Sequence, residues 1–177
     1  MTFPLILIDS NRSTGLLLRD VLSSRSQSTH YLIMKPSYPN AEQVPSLWFP
    51  LVKKFYQEHY PSGKPNKADP IWVIKDQGRI LCAVRLKQIN TIQLLTAMVT
   101  KPSHRNMGLG SHLINDIHAA LSKTPCYCFA FTHLVPFYTA NHFTAIPVEI
   151  LPEEVRTRFL AYTAQGRELT PMHYIRR

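Results

Sequence analysis

Residues 99–114 read VTKPSHRNMGLGSHLI, and they decide the fold prediction because a strand-like pattern changes there into a helical one. Pro102 ends the strand-like run, and apolar residues then recur at helical spacing from Leu109 to Leu121. Gly108 and Gly110, two of only six glycines in the chain, lie between the two patterns. Glycine allows a tight turn or a close backbone approach, and the free N–H groups at a helix N-terminus attract anions. The stretch therefore predicts a phosphate-binding turn, with an ordinary strand-to-helix turn as the alternative.

The charge distribution favours the phosphate-binding alternative. The chain has 20 Lys and Arg against 11 Asp and Glu, a net charge of +9 at pH 7, and no acidic residue occurs from Gln77 to Asn115. Arg105 lies in the turn itself, and the same stretch contains Arg79, Arg85, Lys87 and Lys101. Such a surface favours phosphates, nucleic acid or acidic substrates. Because the basic residues are scattered and form no dense block, nucleic acid is the less favoured partner.

The size and composition predict one compact domain. The chain has 177 residues, of which 45% are hydrophobic and 18% charged, so it can form a core. No window approaches 18 uninterrupted apolar residues, and residues 1–9 lack the basic start of a signal peptide, so we expect a cytoplasmic protein without a membrane span. The three cysteines have no metal-type spacing and the eight histidines form no His-Glu-x-x-His pair, so no metal is expected.

The remaining pattern predicts an α/β fold of the α+β type. Residues 1–29 are expected to form an N-terminal extension of unknown role, with a strand at 4–8 and a helix around 17–22, and the domain is expected to cover 30–177. An Asp-Gln-Gly turn at 76–78 joins two strand patterns, which predicts a β-hairpin in an antiparallel sheet. Strands are predicted at 31–34, 71–75, 79–88, 91–99, 127–131, 144–151 and 172–175, and helices at 46–60, 109–121, 136–140 and 152–164.

Two segments resemble motifs of the GNAT superfamily of N-acetyltransferases. Arg105, Gly108 and Gly110 match the acyl-CoA-binding pattern of the family, which is Arg or Gln, two residues, Gly, one residue, and Gly or Ala. Residues 137–143, FYTANHF, are similar to the family's Phe-Tyr-x-x-x-Gly-Phe segment, with His142 where the family has glycine. The two motifs are separated by a predicted helix and strand, and the resemblance covers about residue 30 to the C-terminus.

The resemblance implies a mixed, mostly antiparallel central sheet that is flanked by helices and splayed at the acyl-CoA site. It implies that backbone groups of Met98 and Val99 bind the pantetheine arm, and that Tyr138 is the general acid that protonates the departing thiolate. It also implies acetyl-CoA as co-substrate and no metal. The backbone N–H groups implied to cradle the pyrophosphate are those of Arg105, Asn106, Met107, Gly108, Leu109, Gly110 and Ser111.

The general base stays open at the sequence level. An amine with a pKa near 10.4 is mostly protonated at pH 7, and reaching the free amine costs about 4.6 kcal/mol. His133, at the end of the strand that leads to Tyr138, is the candidate base that the sequence places best, and a chain of water molecules is an alternative. A carboxylate base would have to come from Glu42, Glu58, Asp69 or Glu149.

The resulting prediction is an acyl-CoA-dependent N-acetyltransferase that passes an acetyl group from acetyl-CoA directly to a primary amine. Its acceptor is a small molecule or a peptide. The resemblance implies that residues 46–70 line the acceptor pocket, with Trp48, Phe55, Tyr56 and Tyr60 as aromatic candidates. The alternative for this segment is an amphipathic helix that packs Leu47, Leu51 and Phe55 on the sheet. The alternative is a non-catalytic module that senses acyl-CoA. The oligomeric state is left open by the sequence, with a homodimer as one arrangement. Residues 1–29 could cover a sheet edge or reach a neighbouring subunit.

Overall fold

The computed structural model describes residues 38–175. The predictions for the extension at 1–29, for the strand at 31–34 and for the start of the domain lie outside the described residues. Within 38–175 the chain forms a mixed sheet with helices on both faces, so the predicted fold class is confirmed. No helix in this part of the chain is long and apolar enough to cross a membrane.

Seven strands in the described residues form one sheet. They are β1 (Glu42–Gln43), β2 (Ile71–Asp76), β3 (Arg79–Ile89), β4 (Ile92–Thr100), β5 (Cys126–Phe131), β6 (Phe143–Ala145) and β7 (Leu169–Tyr174). Their order across the sheet is β1-β2-β3-β4-β5-β7-β6. Every neighbouring pair is antiparallel except β4 and β5, which run parallel. A parallel pair needs a crossover connection, and the segment after the glycine turn supplies it.

Helices cover both faces of the sheet. They are α1 (Phe49–His59), α2 (Leu109–Asp116), α3 (His118–Leu121), α4 (Val135–Ala140) and α5 (Glu153–Thr163). Helices α2, α3 and α4 pack in one core with Cys82 and Val84 of β3. Helices α1 and α5 pack in two other cores, which contain Ala83 and Ile89 of the same strand. Because side chains alternate along a strand, α1 and α5 share the face opposite to α2.

Two predicted elements have different bounds in the structure. The predicted helix at 109–121 is interrupted at Ile117, where the backbone turns to ψ 13° between α2 and α3. The predicted strand at 144–151 is wrong beyond Ala145, because a 3-10 turn covers Val148–Ile150. Pro147, which has no N–H group to donate to a sheet, precedes that turn.

The buried face of α1 also differs from the prediction. Leu47 and Leu51 are 85% and 40% exposed, whereas Val52 and Tyr56 are buried and Phe55 packs with them. Leu47 lies in the 3-10 turn Ser46–Trp48 before the helix. Leu51 and Phe55 are four residues apart, and so are Val52 and Tyr56. Spacing alone therefore could not show that Val52, and not Leu51, is the buried residue.

Candidate active site

The strands β4 and β5 separate at the centre of the sheet. Their parallel pairing covers only Gln93–Leu95 of β4 and Cys126–Cys128 of β5. Beyond that point β4 continues to Thr100 without β5 alongside it, so Met98 and Val99 border the gap. The splayed sheet that the resemblance implied is therefore present, and both residues lie at the gap as expected.

A bulge in β4 shapes the edge of this gap. The β3–β4 register shifts by one residue between Ala83 and Arg85, and Ala97 has a φ of +51°. The buried hydroxyl of Tyr56 donates a hydrogen bond of 2.7 Å to the Ala97 carbonyl oxygen. A bulge of this kind redirects the backbone groups of one strand, and here a side chain from α1 holds it in place.

The glycine turn leads from β4 into α2. Gly108 occupies the position before the helix with a φ of +80°, and Asn106 has a φ of +60°. The His112 amide is bonded to the Gly108 carbonyl oxygen at 2.9 Å, so the amides before it belong to the first helical turn, where they have no intrahelical partner. A cavity of about 170 Å³ lies against this turn and is lined by Thr100, His104, Arg105, Asn106, Gly108, Leu109, Gly110, Ser111 and Phe137.

The two glycines of the turn are needed for different reasons. A Cβ atom on Gly108 would meet no atom within 4 Å, so glycine is favoured there by the left-handed backbone. A Cβ atom on Gly110 would lie 3.0 Å from Met98 Cε and 3.1 Å from Phe137 Cζ. Gly110 therefore lets α2 pack closely against β4 and α4.

Two hydrogen bonds brace the turn from different sides. Arg105 Nε donates a hydrogen bond of 3.3 Å to the Thr100 carbonyl oxygen, which closes the loop back onto β4. The Met107 side chain is 47% exposed, and the Met107 carbonyl oxygen accepts a 2.6 Å hydrogen bond from the Tyr38 hydroxyl. The residues predicted to bind pyrophosphate thus run from this turn into the first turn of α2.

Tyr138 lies in α4 and is fully buried. Its ring packs edge-on against Phe137 and Phe143, and its hydroxyl donates to the Met98 sulfur at 3.8 Å. Burial raises the pKa of Tyr138 well above its ordinary value, and Cys128 and Cys82 act in the same direction. The structure thus brings the predicted acid together with Met98 at the gap and keeps the phenol protonated.

The predicted base His133 occupies a different environment. It lies exposed in the 3-10 turn Thr132–Leu134 after β5, with its ring stacked on Phe131 at 5.7 Å. The structure shows no contact between His133 and Tyr138, and the role of His133 stays a prediction.

Most of the carboxylates near the sheet already have partners. Glu42 pairs with Lys75 at 2.9 Å, Glu58 lies 3.9 Å from both Lys54 and His59, and Asp69 lies 3.8 Å from Arg85. Asp116 accepts a 2.8 Å hydrogen bond from the Ala41 amide. Residues 38–175 contain no group of three or more histidine, cysteine, aspartate or glutamate residues that could hold a metal ion.

His142, which replaces the family glycine, keeps the expected turn. It adopts a left-handed backbone with a φ of +66°, and β6 begins directly after it at Phe143. The His142 carbonyl oxygen accepts a 2.8 Å hydrogen bond from the Ile175 amide. The glycine position of the motif is thus a left-handed position, and histidine occupies it at some conformational cost.

Asn141 is a site residue that sequence reasoning missed. It is 2% exposed, and its Nδ2 donates to Ser111 Oγ at 3.1 Å and to the Phe137 carbonyl oxygen at 2.7 Å. It thereby joins the end of α4 to the first turn of α2. Its position inside the FYTANHF segment was the available signal, but the matching pattern leaves that position unspecified.

A family model of the acetyltransferase (GNAT) domain matches residues 67–145, which include both the glycine turn and Tyr138. The chain contains a GNAT acetyltransferase domain. The family that the model describes is one of acetyltransferases, and the match lies within residues 67–145. The family recognised from the two sequence motifs is thereby confirmed. No curated protein matches the sequence.

Solved structures share the fold of this GNAT domain at low sequence identity. N-acetylglutamate synthase from Neisseria gonorrhoeae, complexed with coenzyme A and N-acetyl-glutamate, is 14% identical with a TM-score of 0.56, over 76% of this chain and 34% of that chain. The ribosomal-protein-S18-alanine N-acetyltransferase from Escherichia coli is 12% identical with a TM-score of 0.55, over 76% of this chain and 91% of that chain. Naa50 from Arabidopsis thaliana, in complex with a bisubstrate analogue that contains CoA, is 15% identical with a TM-score of 0.54, over 77% of this chain and 97% of that chain. The matched part is about a third of the length of the N-acetylglutamate synthase chain.

Proposed function

We propose that this protein transfers an acetyl group from acetyl-CoA directly to a primary amine of a small-molecule or peptide acceptor. The observation that carries the proposal is the gap between β4 and β5, which lies beside a glycine turn at the start of α2 and contains a buried tyrosine. Coenzyme A in complexes of two GNAT-fold neighbours supports acetyl-CoA as the co-substrate.

The glycine turn fits the pyrophosphate of coenzyme A. The unpaired first-turn amides from Gly108 to Ser111 supply N–H donors, and the partial positive charge of the helix N-terminus favours an anion. The neighbouring cavity of about 170 Å³ gives the phosphates space beside these amides. Backbone groups of Met98 and Val99 would then bind the pantetheine arm along the open edge of β4.

Tyr138 supplies the proton for the leaving thiolate. Attack of the amine nitrogen on the thioester carbonyl carbon forms the amide bond and breaks the carbon–sulfur bond, and the sulfur then needs a proton. The Tyr138 hydroxyl already donates to a sulfur atom at the gap, that of Met98. Because burial holds its pKa above the ordinary value, the phenol stays protonated and available as an acid at neutral pH.

The amine must also lose a proton. His133, whose ring is exposed, remains the proposed base, and a chain of water molecules is the alternative route for the proton. A domain that spans 30–177, a cytoplasmic location and a homodimer likewise remain sequence-based predictions.

The first test is thermal unfolding with acetyl-CoA, with adenosine as the control ligand. A ligand at 100 times its dissociation constant adds about 2.7 kcal/mol, which should raise the midpoint by about 5–11 °C for a chain of this size. No shift with acetyl-CoA would refute the site.

The second test measures release of the coenzyme A thiol with a panel of amines, for the wild type and for Tyr138→Phe. Loss of a general acid lowers turnover by about 10²–10⁴-fold, while acetyl-CoA should shift the midpoint of the variant as before. Equal turnover would remove Tyr138 from the mechanism. Binding of acetyl-CoA without transfer to any amine would identify the chain as an acyl-CoA sensor instead.

A further inference from the structure

The inference rests on the proposed function and concerns the face of the sheet opposite to α2. Arg85 of β3 and Thr96 of β4 lie directly opposite each other in the register, so their side chains share one face. Ala83 packs with α1 on this face, and Ile89 packs with α5. Arg85 thus lies between the areas that these two helices cover.

This position adjoins the reaction centre. Thr96 is the residue directly before the β4 bulge at Ala97, and it is partly exposed in a strand whose other residues are buried. The opposite face of the gap is filled by α2 and α4. An amine that approaches the end of the pantetheine arm would therefore come from the side of Thr96 and Arg85.

Arg85 is a buried cation with unused hydrogen-bonding capacity. It is 7% exposed, and its Nη1 donates a 2.6 Å hydrogen bond to the Lys64 carbonyl oxygen. Its Nε is buried and has no hydrogen-bond partner among the described residues, since the Asp69 carboxylate lies 3.8 Å away. A buried guanidinium is costly unless its donors are satisfied, and a carboxylate or phosphate matches its planar fork.

Further cations gather around Arg85. Lys87 lies two residues along β3 and therefore on the same face, and burial followed by the charges of Arg158 and Arg85 lowers its pKa. Burial raises the pKa of Tyr162 of α5, and the positive charges of Arg158, Arg167 and Arg85 oppose that rise. The guanidinium carbon of Arg167 lies 5.6 Å from the centre of the Tyr162 ring.

A purely structural role accounts for only part of this arrangement. The bond from Arg85 to Lys64 and the neighbouring Asp69 would fasten the loop at 61–70 to the sheet with one cation. Asp69, which also opposes the lowering of the Lys87 pKa, supplies one negative charge against the three cations Arg85, Lys87 and Arg158. The cluster therefore keeps a net positive charge, and a further anion stabilises it.

We propose that Arg85, Lys87 and Arg158 bind an anionic group of the amine acceptor, so that the acceptor is a small amine that carries a carboxylate or a phosphate. Tyr60 packs in the same core as Ala83 of β3 and Ala97 of β4, on this face of the sheet. Burial raises the pKa of Tyr60, and the charges of Arg167 and Arg85 oppose that rise. The anion is held on the α1 and α5 face while the amine points toward the gap.

The test compares acceptors in matched pairs that differ in the anion. At saturating acetyl-CoA, kcat/KM is measured for each of the twenty amino acids against its carboxamide, and for phosphoethanolamine against ethanolamine. The two sets distinguish a carboxylate from a phosphate. A carboxamide lowers the basicity of the neighbouring amine, so a preference for the acid cannot come from a more available free amine.

For at least one pair, we expect kcat/KM of the anionic acceptor to exceed that of its neutral partner by about tenfold or more. This is the effect of about one charge-assisted contact. Lys87→Gln and Arg158→Gln should each reduce that ratio by about tenfold, mainly by raising KM for the anionic acceptor. These positions are tested because Arg85→Gln would also release the loop at Lys64. Arg156→Gln is the matched control, since it removes a cation from the same helix that pairs instead with Glu153.

The proposal would be overturned if kcat/KM of the neutral acceptor matched or exceeded that of its anionic partner in every pair. It would also be overturned if no anionic amine were acetylated. An Arg156→Gln variant that loses the preference as fully as Arg158→Gln would overturn it too. The acetyl-CoA midpoint shift, measured in parallel, separates these outcomes from failure of the proposed function. If that shift is absent in the wild type, acyl-CoA binding itself is refuted.

Discussion

The left-handed backbone of Gly108 provides a sharp test of the glycine turn. Gly108 has a φ of +80°, and a Cβ atom there would meet no atom within 4 Å. A larger residue is therefore strained by its own backbone and not by collisions with neighbouring side chains. Left-handed backbone costs an ordinary L-residue about 1–2 kcal/mol, and a β-branched residue is a true outlier there, whereas asparagine tolerates the conformation.

We expect Gly108→Val to lower the free energy of unfolding by about 1–2 kcal/mol, and Gly108→Asn by clearly less. For a chain of this length the valine variant should unfold about 2–8 °C below the wild type. The measurement is thermal unfolding without ligand, followed by an acetyl-CoA titration. The valine variant should also bind acetyl-CoA more weakly, because relief of the strain moves the amides that face the phosphates.

The asparagine variant is the control for size, since it too adds a side chain at position 108 but can keep the turn. Equal midpoints for the valine variant and the wild type would refute the strain argument. Asparagine as damaging as valine would show that the space around residue 108 matters, and not its backbone angle.

Further predictions concern the bulge, the motif histidine and the acid. Tyr56→Phe leaves the buried Ala97 carbonyl oxygen without its donor, so the free energy of unfolding, measured in urea, should fall by about 1–3 kcal/mol. The control Tyr38→Phe removes an exposed hydrogen bond and should lower this free energy less. Equal losses of unfolding free energy would argue against the bulge contact. His142→Gly relieves a left-handed histidine with a φ of +66° and should raise the unfolding free energy by about 1 kcal/mol, which a lower thermal midpoint would contradict. Burial raises the pKa of Tyr138 well above its ordinary value, so the phenol should stay protonated up to about pH 10. In a plot of kcat against pH, kcat should rise as the amine loses its proton and should not fall below about pH 10. A decline between about pH 8 and 9 would exclude this phenol as the acid.

The glycine turn shows why part of the site could be predicted. Gly108 and Gly110 are separated only by Leu109, and the change of period around them already places a turn at the start of a helix. Local chemistry determines such a feature, because the backbone angles and the free first-turn amides depend on neighbouring residues. The separate reasons for the two glycines became visible only through their surroundings.

Contacts between distant elements could not be predicted in this way. The Tyr56 bond to Ala97 joins residues 41 positions apart, and the Asn141 bond to Ser111 joins residues 30 positions apart. The choice between Leu51 and Val52 as the buried row of α1 also depended on how the helix lies on the sheet. The spacing of apolar residues predicts a helix, but it does not determine which side of the helix faces the sheet.

The sequence by itself determined the order of strands and helices over most of 71–175, the hairpin, the glycine turn and the family, because each depends on residues that are close together in the chain. Only the tertiary structure decided that β4 and β5 pair over three residues, that Tyr138 is buried against Met98, and that Arg85 lies opposite Thr96. The reason is physical: burial, strand pairing and the field around a charge arise from residues far apart in the chain, which the fold alone brings together.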